Sequence, residues 1–208
     1  MADFHKPVRA PGALFENMHG ADDPAEVNRV AHETAQALVA RVHADPQPAV
    51  VDRLVGYADD EGIDVVAELW SRAAARSLPG ALWRIYLLRA AIRTDPEETS
   101  YLFQRGAETI DTIDPVVAGA PVPTSPSEIT ELADRILRGL FAGDFAGALE
   151  RAAAFCRVIG IGCTLQADDL DAIRPDRAAE LTTRAARYAQ TAQELAAAAR
   201  MWREDELD

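Results

Sequence analysis

Apolar positions recur along this chain at intervals of three and four, the spacing of helices that bury one face. Val27, Val30, Ala31, Thr34, Ala35, Leu38 and Val42 form the first stripe. Asp23 as cap and Pro24 in the first turn predict a helix that runs to about Ala44, where Pro46 and Pro48 end it. Val50, Val51, Leu54, Val55 and Ala58 predict a short second helix stopped near Gly62, and Asp64 to Ser77 a third. Leu78-Pro79-Gly80 is a tight connection into a fourth, Ala81 to Arg93. That helix is apolar nearly all round, which predicts a central, buried position. Thr94 or Asp95 caps a fifth, with Pro96 at its first position, ending near Thr112.

Residues 1 to 22 show no periodicity, and Pro7, Pro11, Gly12 and Gly20 predict an extended arm. Residues 114 to 127 form a proline-stiffened connector, either between two helical parts (23 to 113 and 128 to 208) or across the surface of one domain, 23 to 203. Ser125-Pro126-Ser127-Glu128 is a capping box that opens a sixth helix, which ends at Gly143. Asp144 caps a seventh, stopped by Gly160 and Gly162, with an irregular stretch from 163 to 174. Pro175 opens a long last helix to about Arg203, and the acidic tail is expected to fray. Only Val158 to Cys163 has any strand-like alternation, and its glycines argue against a strand. The fold class is all-α: an antiparallel helical-hairpin bundle or short stack of about eight or nine helices.

Composition narrows the function. The chain has 208 residues and a net charge of -13, with 49% hydrophobic residues, so it can bury a sizeable core and is not disordered overall. The acidic balance disfavours general nucleic-acid binding, which needs basic surface to neutralise phosphates. Two cysteines make no disulfide framework, no apolar run reaches the length of a membrane span, and the first residues carry no signal pattern. The expected location is the cytoplasm. Of 21 basic residues only Lys6 is a lysine, which reads as the imprint of a GC-rich genome before it reads as chemistry.

Two stretches stand out. On the last helix Ala178, Leu181, Ala185, Tyr188, Ala192, Leu195, Ala199 and Trp202 alternate at three and four, a heptad seam. It serves either association with a second copy or partner, or packing on the chain's own sixth and seventh helices. From Leu69 to Thr94 there is no acid, yet Arg72, Arg76, Arg84, Arg89 and Arg93 are interleaved with Trp70, Trp83 and Tyr86. Arginine beside aromatics suits a phosphate, a carboxylate or a stacked base. Against that, Trp70 lies on a core-like stripe, and Glu68, Arg72 and Arg76 read as a solvated ladder.

Gly143-Asp144-Phe145-Ala146-Gly147-Ala148-Leu149-Glu150 resembles the middle of a tetratricopeptide repeat, although no 34-residue period is visible. Together with Ser77-Leu78-Pro79-Gly80-Ala81-Leu82-Trp83-Arg84-Ile85-Tyr86-Leu87-Leu88-Arg89 and Phe155-Cys156-Arg157 it is similar to a family of actinobacterial helical proteins of no established activity, over roughly residues 54 to 160. That resemblance implies a source and no site residues.

Catalytic and metal motifs are not found in the sequence. His32 and His43 are too far apart along one helix for one ion, at about 16 Å. Glu16 and His19 carry a di-metal spacing once, where two copies are needed. Glu128, Glu131 and Asp134 share a face, as in the magnesium-binding helices of all-α pyrophosphohydrolases, but lack a second acidic pair. Cys156 lies on a core stripe, and Cys163 falls in the irregular stretch. No metal and no cofactor is expected. The first expectation is a non-catalytic protein-interaction or regulatory protein, self-associating or with a protein partner. The second is a binder of a small anionic ligand through 69 to 94. The third is an enzyme on a helical scaffold without a recognisable motif.

Overall fold

The computed structural model describes residues 23–44, 69–119, 125–141 and 144–208. The expected arm at 1–22, the second helix, the start of the third, the middle of the connector and Gly143 lie outside these residues. Among the described residues there are seven helices and no strand. They are α1 (Pro24–Ala44), α2 (Leu78–Thr94), α3 (Pro96–Thr109), α4 (Asp114–Ala118), α5 (Pro126–Phe141), α6 (Phe145–Leu170) and α7 (Pro175–Arg203).

Five of the seven described helices begin where a short polar side chain at the cap satisfies a free N–H group of the first turn; α4 and α7 have a proline in the first turn and a cap residue that makes no side-chain bond. Ala25 N donates to Asp23 Oδ1 at 3.0 Å, Gly80 N to Ser77 Oγ at 3.3 Å and Glu98 N to Asp95 Oδ1 at 2.9 Å. The capping box forms in both directions, with Glu128 N donating to Ser125 Oγ at 3.3 Å and Ser125 N to Glu128 Oε2 at 2.8 Å. Gly147 N donates to Asp144 Oδ1 at 3.0 Å at the start of α6.

The centre of the molecule is α6, which touches α2, α3, α4, α5 and α7. The expectation for the fourth helix holds in part: α2 also touches five helices, α1, α3, α5, α6 and α7, but it leaves Leu87, Ala90 and Ala91 exposed and is not buried all round. Phe155 of α6 stacks on Phe103 of α3 with ring centroids 5.3 Å apart, and Phe145 meets Trp202 of α7 at 4.3 Å. Buried residues from both sides of the connector belong to one hydrophobic cluster.

The glycines of α6 are the main departure from expectation. Gly160 and Gly162 do not stop the helix, which continues to Leu170 and carries Cys163 in its buried interior. A methyl group on Gly162 would sit 1.9 Å from the Leu102 carbonyl oxygen, and one on Gly106 would sit 2.0 Å from that of Val158. Helices α3 and α6 therefore cross backbone to backbone, glycine against carbonyl on each side. The glycines serve this approach and not a turn.

Three smaller corrections follow from local contacts. Among the described residues of the expected third helix only Leu69 and Trp70 are helical; the chain then turns, with Ala73 N bonded to Trp70 O at 3.0 Å and Ser77 Oγ to Ala74 O at 2.8 Å. The connector holds a helical turn, α4, because Arg157 of α6 anchors Asp114. The acidic tail does not fray. Asp205 is left-handed at φ 54°, Glu206 N donates to Met201 O at 2.8 Å, Leu207 is buried, and Leu78 N donates to Asp208 O at 2.7 Å. This is a Schellman closure with aspartate where glycine is preferred. Asp205→Gly is expected to stabilise the fold by about 0.5 kcal/mol, the left-handed penalty less glycine's extra entropy. An upward shift of the urea midpoint checks it.

Candidate functional site

The arginine and aromatic stretch does not converge on one site. Trp70 is buried, donates from Nε1 to Thr34 Oγ1 of α1 at 3.2 Å and lies 6.0 Å from the Tyr86 ring. Burial pushes the Tyr86 phenol up to about 12, with Arg89 opposing. Trp83 is half-buried against the core. Arg89 is buried in α2 and donates to Asp134 Oδ1 of α5 at 2.7 Å, and Arg93 reaches the same oxygen at 3.6 Å. Arg84 points the other way, to Glu194 of α7 at 2.5 Å. Arg72 and Arg76 are exposed on the turn before α2. The cluster is thus divided among α1, α5 and α7, and remote acids meet three of its five arginines.

The seam of α7 is occupied by the chain itself. Ala178, Leu181, Tyr188, Ala192, Leu195 and Ala199 are buried, Ala185 and Trp202 partly so, and α6 is the helix that α7 packs against most extensively. Gly160 of α6 sits in ordinary contact with Tyr188 Cβ at 3.5 Å, which sets the register of the pair.

Beside the seam lies an open furrow of about 900 Å³ between α6 and α7, walled at one side by Ile110, Thr112 and Asp114. Its α7 side is small, with Ala185, Ala186, Ala189, Ala192 and Ala196; Ile161 and Thr164 of α6 face them. Alanine here leaves a channel that larger side chains would fill. Exposed Ile113 and Val116 adjoin the wall. One end carries Arg157 and Arg200; beyond Thr182 the same face continues to Asp168 and Asp171. Arg157 holds Asp114 at 2.6 Å and keeps that carboxyl below its usual range. Arg200, Asp168 and Asp171 are exposed and have no ion pair among the described residues. Cys156 is buried at the floor and its thiol is pushed up to about 12 by burial, so it is no nucleophile at neutral pH.

A second cleft, of about 430 Å³, opens between α2 and α7 and is lined by Arg84, Leu87, Leu88, Ala91, Arg184, Arg187, Tyr188 and Thr191. It takes one arginine from the predicted stretch and two that sequence reasoning passed over. The signal was present: the positions three and four residues from Arg187 hold Thr183, Arg184, Gln190 and Thr191, so no acid can form a helical ladder with it.

No family model, curated protein or solved structure matches this chain. The repeat-like hairpin motif and the actinobacterial resemblance therefore assign no family, and function rests on the geometry. Among the described residues no three histidines, cysteines, aspartates or glutamates converge to hold a metal. Of the acidic face on α5, Glu128 closes the capping box and Asp134 takes Arg89 and Arg93. No described helix is long and apolar enough to cross a membrane.

Proposed function

We propose that this protein is a non-catalytic interaction protein that acts through the open face of α6 and α7, and that a second copy of the chain covers that face. The observation that carries the reading is the polarity of the furrow: basic at the Arg200 end, since Arg157 is already paired with Asp114, acidic at the Asp168 and Asp171 end, apolar and small between them. Such a surface is complementary to itself when reversed. A two-fold axis near Ala186 and Ala189 leaves Arg200 and Asp171 each about 18 Å from it along the helices, at 1.5 Å per residue. Each Arg200 then meets the partner's acidic end, and the alanines let the two α7 helices approach closely. Ile113 and Val116 add apolar area at the margin.

Sedimentation velocity over a range of concentrations tests this. The wild-type chain is expected to form a dimer, and Ala189→Glu, at an exposed position, a folded monomer. Arg200→Asp is expected to weaken the dimer at least tenfold, and Arg200→Asp combined with Asp171→Arg to restore most of it. A wild-type monomer at all concentrations, or a dimer indifferent to Ala189→Glu, overturns the proposal.

A further inference from the structure

The cleft between α2 and α7 lies on the side of α7 away from the furrow, since Ala189 and Arg187 project about 160° apart at 3.6 residues per turn. We infer that this cleft is a binding site for a small organic anion with an apolar body, its carboxylate or phosphate head held by Arg187. Three guanidinium groups line the cleft and no carboxylate does. Two of the three are taken up within the chain: Arg84 by Glu194 at 2.5 Å and by the Gly80 carbonyl oxygen at 3.0 Å, and Arg184 by Glu98 at 2.6 Å with its guanidinium 5.7 Å from the Tyr188 ring, so they supply positive field while Arg187 supplies the bonds. Arg187 has no ion pair among the described residues, and its helical neighbours offer none.

The rest of the lining defines the body of the ligand. Leu88 is buried, Ala91 is exposed, and Leu87 is 47% exposed, an apolar surface beside the cations that nothing in the chain covers among the described residues. An inorganic anion would leave this wall wet, and a neutral apolar molecule would leave Arg187 without a partner. A molecule with both parts satisfies both, and the cleft falls within the ~300–1,000 Å³ of small-molecule sites. The arginines exchange hydration for bidentate bonds to a planar or tetrahedral head.

The test is calorimetric titration of the full chain with octanoate and with octyl phosphate, against octanol and inorganic phosphate. At least one of the two amphiphilic anions is expected to bind, and octanol and inorganic phosphate at least tenfold more weakly. Octanoate above octyl phosphate assigns a carboxylate head, and the reverse a phosphate. Arg187→Gln, at an exposed position, is expected to weaken binding at least tenfold without moving the melting temperature of the ligand-free chain. Leu87→Ser is expected to weaken it several-fold. The inference is overturned if neither anion binds, if octanol binds as tightly as they do, or if Arg187→Gln binds unchanged. Ala189→Glu is expected to bind the anion as the wild type does, which separates this result from the fate of the dimer.

Discussion

Leu195→Glu is expected to unfold the chain rather than to release a partner. Leu195 is fully buried at the centre of the α7 seam, where α6 covers it. The substitution removes a buried isobutyl group, worth ~2–5 kcal/mol with its cavity. It also asks a carboxylate to enter an apolar core without a cation, and the residue would remain protonated or the helix pair would separate. The combined loss, about 4 kcal/mol or more, is comparable with the whole stability of many domains. Circular dichroism should show lost cooperativity on heating. Leu195→Ala, at about 3 kcal/mol, keeps the effect measurable by urea if the glutamate variant does not fold. A folded Leu195→Glu monomer that has lost only association would mean that the seam faces another molecule.

Gly162→Ala is expected to destabilise by about 3 kcal/mol, and Gly160→Ala to be neutral or stabilising. Helix propensity alone favours alanine by ~1 kcal/mol at both positions, so the sign separates two explanations. At Gly162 the new methyl group would lie 1.9 Å from the Leu102 carbonyl oxygen, a backbone atom that moves only if α3 moves. At Gly160 the nearest atom is Tyr188 Cβ at 3.5 Å, ordinary contact. Urea midpoints of the two variants decide the matter. A stabilising Gly162→Ala would mean that α3 and α6 do not cross at this distance.

The furrow shows how one misread residue type hides a surface. Arg157, Ile161, Thr164 and Asp168 of α6 and its C-cap Asp171 repeat at four and three, a stripe as regular as the seam of α7. Cutting the helix at Gly160 and Gly162 divides that stripe, and its polarity from basic to acidic cannot then be seen. The arginine stretch shows the converse. Arg84 and Arg89 are conspicuous because no acid lies near them in sequence, and yet Glu194 and Asp134 reach them from other helices. Arg187 drew no notice in a helix rich in both charges, although its own neighbours left it alone.

The sequence by itself determined the helices and where most of them start. Asp23, Asp95, Ser125 and Asp144 are caps whose bonds close within three residues, and the prolines at 24, 96, 126 and 175 act through their own ring geometry. The start of α2 was the exception, since Ser77 caps a helix from Leu78 where the pattern placed a connection and a start at Ala81. The periodicity of Ala178 to Trp202 likewise placed the buried side of α7. Only the tertiary structure decided that α6 is the central helix, that its glycines are crossing points, which carboxylate meets each arginine, and which faces of α7 stay open. The physical reason is range. A cap or a proline is satisfied by neighbours in the chain, whereas a glycine reads alike as a stop or as a close approach until the opposing backbone is in place, and an arginine reads as free until a distant acid arrives.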